Sequence, residues 1–166
     1  MIALDTLRKI RVFGYLQDDE LEVLGTFLEF NRFLKGEYLL KENSVGDCVY
    51  ILVKGTVRVS KDLVKGFDED IVNTQKVLAT LNEQHLPTFG ENGILGQAPR
   101  NANVIAATDC EVYSLSYRDF DNFAKDNPRA AYHIMKNIAE VLSQRLNSTD
   151  ENLVKLATAL YIAVQS

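Results

Sequence analysis

Between residues 29 and 116 the chain alternates apolar side chains with other residues, and glycines interrupt this pattern about every ten residues. In the clearest stretch, Val49, Ile51 and Val53 alternate with Tyr50 and Leu52. A period of two is typical of β-strands, because successive side chains of a strand point to opposite faces of the sheet. Several short strands separated by turns at this spacing predict an all-β barrel or roll.

Two connections inside this β region are predicted from their composition. Residues 61–75 contain Gly66 and three consecutive acids, which indicate a long exposed loop. A strand is predicted to resume at 77–81. The strands expected at 104–107 and 112–115 are predicted to form a closing hairpin.

Residues 1–28 show helical rather than strand periodicity. Apolar residues recur at helical spacing between residues 4 and 12. An acidic run at 18–20 precedes a second apolar stripe, and acids are favoured in the first turn of a helix. We therefore predict N-terminal helices over 1–28, with Asp18 as the N-cap of the second helix.

Helical periodicity returns after the strands, over residues 117–147. A short helix is expected first, and Asn127 with Pro128 then forms a typical N-cap and first-turn pair for a longer helix. The sequence Asn-Ser-Thr-Asp at 147–150 predicts a break, followed by an additional amphipathic helix over 150–166. The predicted fold is therefore mainly β with flanking helices, and the β-roll spans 29–116.

Composition and charge narrow the class of protein. The 166 residues are 46% hydrophobic and 25% charged, which is typical of one globular domain. A formal net charge of −5 argues against a nucleic-acid-binding surface, because such surfaces are usually basic. The sequence contains neither a signal-peptide pattern nor the roughly 20 apolar residues that a membrane span needs. We expect a cytoplasmic protein with no direct contact to nucleic acid and no membrane span.

The segment from residue 89 to 102 carries the most specific chemistry in the sequence. Glu91 follows a glycine, a short helical turn can come next, and Arg100 lies nine positions beyond the acid. The start of a helix offers backbone N–H groups to an anion, and a guanidinium group matches the oxygens of a phosphate. A carboxylate beside them suits a ligand that also has hydroxyl donors, as a ribose has. These residues indicate a pocket for a sugar phosphate.

This segment resembles the phosphate-binding cassette of the cyclic-nucleotide-binding domain family, whose pattern runs roughly F-G-E-L-A-L and then P-R-A-A-T-V. Residues 89–104 align with that pattern without a gap. Residues 35–59 are similar to the family's first strands, where G-x-x-(I/L)-x-x-E, G-D and Y-x-(I/L)-x-x-G-x-V recur. The resemblance covers about residues 10 to 147. It implies a double-stranded β-helix, which is a jelly-roll-like β-roll, with N-terminal helices and a C-terminal lid helix.

The resemblance also assigns roles within the cassette. Arg100 matches the arginine that pairs with the cyclic phosphate, and Glu91 matches the acid that accepts the ribose 2′-hydroxyl. Asn92 and Asn101 depart from the family's usual leucine and small residue at these positions. The ligand-binding residues that the resemblance implies are Phe89, Gly90, Glu91, Asn92, Gly93, Ile94, Pro99, Arg100, Asn101 and Ala102.

The function implied by the resemblance is that of a stand-alone sensory or regulatory module that binds cAMP or cGMP. The signal would pass through movement of the C-terminal helix to a partner, either a second copy in a homodimer or a separate effector protein. The candidate lid residues on that helix, for which core packing is the alternative role, are Tyr132, Ile134, Met135 and Ile138. A second hypothesis is a β-roll scaffold or dimerisation module that binds no nucleotide.

The sequence contains no pattern that indicates catalysis. The two histidines, His85 and His133, lie on unrelated segments, whereas a metal-dependent β-barrel enzyme needs a cluster of them. Cys48 and Cys110 lack C-x-x-C spacing and are expected to be buried free thiols. Neither a G-x-S-x-G motif nor a P-loop occurs. We therefore expect no enzymatic activity, no metal, and no cofactor beyond the cyclic-nucleotide ligand.

Overall fold

The computed structural model describes residues 2–62 and 75–165. The helices in these residues are α1 (Leu4–Lys9), α2 (Asp18–Gly25), α3 (Tyr117–Asp126) and α4 (Pro128–Gln165), with 3₁₀ segments at Arg11–Phe13, Glu83–His85 and Glu91–Leu95. The strands are β1 (Glu29–Phe33), β2 (Tyr38–Leu40), β3 (Val45–Gly46), β4 (Cys48–Lys54), β5 (Thr56–Asp62), β6 (Gln75–Asn82), β7 (Thr88–Phe89), β8 (Ala98–Pro99), β9 (Asn103–Ala106) and β10 (Cys110–Ser116). The loop predicted at 61–75 lies outside the described residues except at its two ends, which belong to β5 and β6.

Two four-stranded antiparallel sheets form the β-roll. The first sheet has the strand order β1-β10-β4-β7, and the second has the order β2-β9-β5-β6. Strands β3 and β8 pair separately as a small third sheet. The predicted architecture, mainly β with flanking helices, is confirmed, and the strand predicted at 77–81 lies within β6.

The predicted closing hairpin is wrong. Strand β9 pairs with β2 and β5 in the second sheet, whereas β10 pairs with β1 and β4 in the first. The turn at 107–109 therefore carries the chain from one sheet to the other. Closeness in sequence did not predict the partners of β9 and β10, because both strands pair with strands that lie far away in sequence.

The space between the two sheets is filled by one apolar cluster. Leu52 and Val112 are neighbours in the first sheet, and Val57 and Ala106 are paired in the second. All four side chains are fully buried. Since side chains alternate along a strand, the residues next to them in the first sheet point to its other face.

That other face of the first sheet is covered by the helices. Ile51 of β4 and Leu115 of β10 pack in a second apolar cluster with Leu7 of α1, Leu24 of α2 and Ile134 of α4. Burying these apolar faces against the sheet stabilises the short N-terminal helices, which would be marginal alone. The first sheet is therefore shared by both clusters, with one cluster on each of its faces.

The N-terminus of α2 lies one residue earlier than predicted. Asp18 is the first helical residue, and Gln17 is the N-cap in a capping box with Glu20. The Glu20 carboxylate accepts a hydrogen bond of 2.8 Å from the Gln17 backbone N–H. The carboxylate of Asp18 instead accepts hydrogen bonds from Arg8, and this contact lowers the pKa of Asp18.

The predicted break at 147–150 is also wrong, because α4 is continuous from Pro128 to Gln165. Asn, Ser, Thr and Asp cost a helix interior at most about 0.7 kcal/mol each, and none lacks a backbone N–H as proline does. The Thr149 hydroxyl donates to the Arg145 carbonyl over 2.9 Å and is thereby satisfied within the helix. No helix within 2–62 and 75–165, α4 included, is both long and apolar enough to cross a membrane.

Candidate functional site

Gly90 turns the chain from β7 into the 3₁₀ segment of the cassette. Its φ of +75° is in the left-handed region, where glycine is favoured. A Cβ at this position would lie 2.8 Å from Nη1 of Arg100. Both the backbone conformation and the room for the guanidinium therefore require a glycine here.

Arg100 lies at the end of the cassette with only 5% of its surface exposed. Its Nη1 donates to the Gly90 carbonyl and its Nη2 donates to the Cys48 carbonyl, each over 2.9 Å. The guanidinium carbon is 6.0 Å from the centre of the Tyr50 ring, within reach of a cation–π contact. A Cβ on Gly46 would collide with the guanidinium, so that glycine also makes room for it.

A groove of about 350 Å³ opens beside Arg100. It runs between β2, the β3 region and the start of β4. Its lining residues are Tyr38, Leu39, Leu40, Lys41, Ser44, Val45, Gly46, Asp47, Tyr50 and Arg100. The groove thus combines apolar and aromatic walls with two cations, Lys41 and Arg100, and one carboxylate, Asp47. This composition suits a small organic anion that has both apolar and polar parts.

Glu91 is buried, with 4% of its surface exposed, and its carboxylate contacts α4. Nη1 of Arg145 lies 2.9 Å from both carboxylate oxygens, and Nη2 of Arg145 donates to the Thr88 carbonyl over 2.9 Å. The Thr88 hydroxyl also donates to Glu91 over 3.3 Å. The structure therefore brings Glu91 to Arg145 rather than to Arg100, and it ties the cassette to the long helix.

The other predicted cassette residues have varied surroundings. Phe89 is buried, with its ring stacked on that of Tyr50 at 5.7 Å, and Ile94 packs in the helical cluster rather than on the groove. Gly93 lies so close to the backbone of Cys48 that a Cβ would not fit, and its amide donates to Gly90. Asn92 and Ala102 are half-buried, whereas Pro99 and Asn101 are exposed.

The thiol and phenol beside the guanidinium are held in their neutral forms. Burial, together with a hydrogen bond to Asp47, raises the pKa of the Cys48 thiol to about 11. Burial also raises the pKa of Tyr50. Cys48 is half-buried and Cys110 is buried, and both are free cysteines. At neutral pH, Cys48 is therefore a protonated thiol and not a nucleophilic thiolate.

The described residues contain no group of three or more His, Cys, Asp or Glu side chains placed to hold a metal ion. A family model described as "Cyclic nucleotide-binding domain" matches residues 30–127, which is more than half of the chain. The chain belongs to the cyclic nucleotide-binding domain family. The match begins within β1 and ends just before α4, so it includes both sheets, the cassette and α3.

Known proteins similar to this cyclic nucleotide-binding domain include larger ones. The chain is 31% identical over 132 residues to glutaminase 1 of Bradyrhizobium diazoefficiens, covering 79% of this chain and 19% of that protein. It is 24% identical over 142 residues to the cyclic AMP receptor protein of Thermus thermophilus, covering 86% of this chain and 60% of that one. The chain thus spans only part of the length of these relatives.

Solved structures show the same fold. A cyclic nucleotide-binding domain from Methylobacillus flagellatus superposes with a TM-score of 0.74 at 19% identity. The match covers 91% of this chain and 80% of that one. At this identity the likeness establishes the β-roll with its flanking helices. The ligand has to be inferred from the residues of the site.

The candidate lid residues of the cyclic nucleotide-binding domain do not line the groove in this structure. Ile134 and Ile138 are buried in the helical cluster, and Met135 packs partly against it. Tyr132 is exposed, with its ring against that of His133. The core-packing role therefore describes Ile134 and Ile138 here, and contact of these four residues with a base stays a prediction.

Two site residues were missed in the sequence. Tyr50 lies on β4, and its alternation with Val49 and Ile51 places it on the opposite face of the strand from those residues. In the structure this face points into the space between the two sheets, where Tyr50 contacts Arg100. Arg145 lies 54 residues beyond Glu91, and its spacing along the chain gives no sign of the contact. Only the packing of α4 against the cassette shows it.

Proposed function

We propose that this domain is a regulatory module that binds cAMP or cGMP in the groove beside Arg100 and passes the signal on through α4. The observation that carries the proposal is the environment of Arg100. Among the described residues, its hydrogen-bond partners are two uncharged backbone carbonyls, and no carboxylate pairs with it. A buried cation without a counter-charge is costly, so an anion entering the groove gains a strong, directional partner.

A cyclic nucleotide fits the rest of the site by its chemistry. Its phosphodiester carries one negative charge for Arg100, and its purine can pack against aromatic or apolar groove walls such as Tyr38 and Leu40. The ribose hydroxyl can donate to Glu91, which is an acceptor when ionised. The relative named as a cyclic AMP receptor protein makes cAMP the first nucleotide to test.

The route of the signal is supported by two contacts between the cassette and the helices. Arg145 of α4 pairs with the carboxylate that the ribose would use, so ligand and helix compete for or share Glu91. Ile94 packs in the same cluster as Ile134 and Ile138 of α4. Contraction of the cassette around a phosphate would therefore shift both the ion pair and the packing under α4, which biases the helix position.

A second candidate function is a β-roll scaffold or interaction module that binds no nucleotide. The observation that favours it is the satisfied state of the two key side chains. Arg100 already donates to two carbonyls, and Glu91 already pairs with Arg145. Such a site can be stable without a ligand, because its buried polar groups have hydrogen-bond partners.

Unfolding by denaturant, with and without nucleotide, separates the two functions. At a concentration 100 times its Kd, a ligand adds about 2.7 kcal/mol to the free energy of unfolding. We expect a shift of this size with cAMP or cGMP and none with 5′-AMP at the same concentration, since 5′-AMP lacks the cyclic phosphodiester. If millimolar cAMP and cGMP both leave the unfolding curve unchanged, the scaffold function is favoured and the sensor proposal fails.

A further inference from the structure

One aromatic ring lies against the guanidinium that the proposed function assigns to the ligand. Tyr50 of β4 lines the same groove as Arg100, and the guanidinium carbon is 6.0 Å from the centre of its ring. The Tyr50 ring also stacks on that of Phe89, with the ring centres 5.7 Å apart and the planes 8° from parallel. Tyr50 therefore contacts both the first residue of the cassette and the arginine near its end.

Strand pairing holds the Tyr50 ring in place. Tyr50 and Phe89 lie directly opposite each other in the antiparallel pair of β4 and β7, so their side chains are on the same face of the sheet. Phe89 is only 3% exposed, and Tyr50 packs partly against the apolar cluster between the sheets. The ring thus offers a fixed surface to the guanidinium.

The electrostatic surroundings of Arg100 make this ring important. Among the described residues, no carboxylate forms an ion pair with Arg100. Asp47, the carboxylate of the groove, instead accepts a hydrogen bond from the Cys48 thiol over 3.3 Å. Burial raises the pKa of Tyr50, so its hydroxyl is neutral at neutral pH and supplies no counter-charge. Because a buried cation without a counter-charge is costly, the negative face of the ring stabilises the guanidinium.

The two hydrogen bonds of Arg100 leave one motion of the guanidinium open. Nη1 donates to the Gly90 carbonyl and Nη2 donates to the Cys48 carbonyl, whereas Nε donates to none of the described residues. Two contacts define a line, and the guanidinium plane can tilt about that line. A third contact, with the Tyr50 ring, opposes the tilt. The direction of the N–H groups that remain for an anion therefore depends on the ring.

We infer that Tyr50 is a positioning residue, whose ring holds the Arg100 guanidinium in the orientation that binds the anionic group of the ligand. The inference rests on the proposed function for the identity of the ligand, whereas the contact of ring and guanidinium is present in the unliganded domain. The ring carries this role, since the contacts of Tyr50 with Phe89 and with Arg100 are both made by the ring. Phenylalanine would therefore serve at this position, and an aliphatic side chain would not.

Calorimetric titration of variants with cAMP and with cGMP tests the role in binding. Tyr50→Leu removes the ring, and we expect its Kd to rise by about fivefold to thirtyfold, the range of a cation–π contact. Tyr50→Phe restores the ring, and its Kd should return to within about threefold of the wild-type value. Tyr50→Met also removes the ring but can still pack on Phe89, and it replaces Tyr50→Leu if that variant does not fold. Melting curves of the unliganded variants report folding.

Tyr113→Leu is the matched control for loss of a tyrosine ring. Tyr113 is a half-buried tyrosine of β10 in the same sheet, and its ring centre is 5.4 Å from that of Phe30. It does not line the groove. Its substitution removes an aromatic pair of the same kind without touching Arg100, so we expect the Kd to equal that of the wild type.

NMR without nucleotide tests the positioning itself. In ¹⁵N-labelled protein, the Nε–H signal of Arg100 is identified by its disappearance in Arg100→Lys. We expect the heteronuclear NOE to show a rigid Nε–H group in the wild type, Tyr50→Phe and Tyr113→Leu, and a mobile group in Tyr50→Leu and Tyr50→Met. The comparison involves no ligand, so it is valid whether or not the domain binds a nucleotide.

Two results would overturn the inference. One is equal mobility of the Arg100 group in the wild type and in the variants without the ring, which would show that the two carbonyls alone position the guanidinium. The other is a rise in Kd with Tyr50→Phe as large as with Tyr50→Leu, which would assign the effect to the hydroxyl. Absence of binding by the wild type would contradict the proposed function instead, and the NMR comparison would still decide the role of Tyr50.

Discussion

Arg100 is a buried cation whose guanidinium donates to two uncharged carbonyls, one from the cassette and one from β4. Two glycines, at positions 46 and 90, provide the space for its guanidinium. The side chain is thus positioned before any ligand arrives, and little conformational entropy remains to be lost when an anion binds. Positioning of this kind depends on the planar geometry of the guanidinium, which lysine lacks.

Replacing Arg100 by lysine should therefore weaken nucleotide binding while the charge is kept. Loss of one charge-assisted hydrogen bond costs about 2 kcal/mol, or roughly thirtyfold in Kd. Arg58→Lys is the matched control, because Arg58 is an exposed arginine on β5, and its affinity should equal that of the wild type. The measurement is a calorimetric titration, with thermal melting of each unliganded variant to confirm folding. Equal affinities in Arg100→Lys and wild type would contradict the assignment of Arg100 to the phosphate.

The cassette could be located in the sequence because its residue types and spacing are specific. Gly90, Glu91 and Arg100 stand where the family pattern has them, and the structure places Gly90 and Arg100 in contact. The partner of Glu91 could not be predicted, since a contact between residues 54 positions apart depends on how α4 packs. Glu91 therefore has a role in the unliganded domain that its position in the motif does not indicate.

At the scale of elements, α4 has a first part that packs on the β-roll and a second part, residues 143–165, that is exposed. Its first half packs on the sheet, Arg145 contacts the cassette, and the remaining residues lie beyond the roll. Sequence patterns predicted the start of this helix at Pro128 but not its continuity through 147–150. The low helix propensity of residues 147–150 is weak evidence for a helix end, because these residue types cost a helix little. Helical turns on both sides of the segment continue through it as one helix.

The ion pair between α4 and the cassette should contribute measurably to stability. Arg145→Gln leaves the buried Glu91 carboxylate without its cation, and we expect the free energy of unfolding to fall by about 1 to 2 kcal/mol. Arg129→Gln is the matched control on the same helix, because Arg129 pairs with Glu20 over 3.0 Å at a more exposed site. Its expected loss is below about 1 kcal/mol, as for other surface pairs. Denaturant titrations of both variants at one protein concentration make the comparison, and equal small losses would show that the Arg145 pair is unimportant.

At the scale of the whole molecule, the two apolar clusters lie on opposite faces of the first sheet. The apolar cluster between the two sheets joins them into the roll. The second cluster joins α1, α2 and α4 to the outer face of the first sheet. Alternation of side chains predicted the strands of this region. Of the glycines expected to separate them, Gly36 and Gly55 lie between strands, Gly46 lies within β3, and Gly66 is outside the described residues. The pairing of β9 and β10 in different sheets was not predictable, because a period of two says which face a residue takes and not which strand lies beside it.

Two parts of the molecule have separate roles in the proposed function. The groove beside Arg100 is proposed to receive the ligand, and α4 is proposed to pass the signal on. Arg145 of α4 contacts Glu91 of the cassette and so joins these two parts. In the proposed function, a change at the cassette would reach α4 through this side chain.

Isothermal titration calorimetry of the wild-type chain with cAMP and with cGMP is the most direct test of the sensor. The account predicts saturable heat for at least one of the two nucleotides, with one site per chain. Absence of heat with both nucleotides, in protein whose melting curve shows a folded domain, would contradict it.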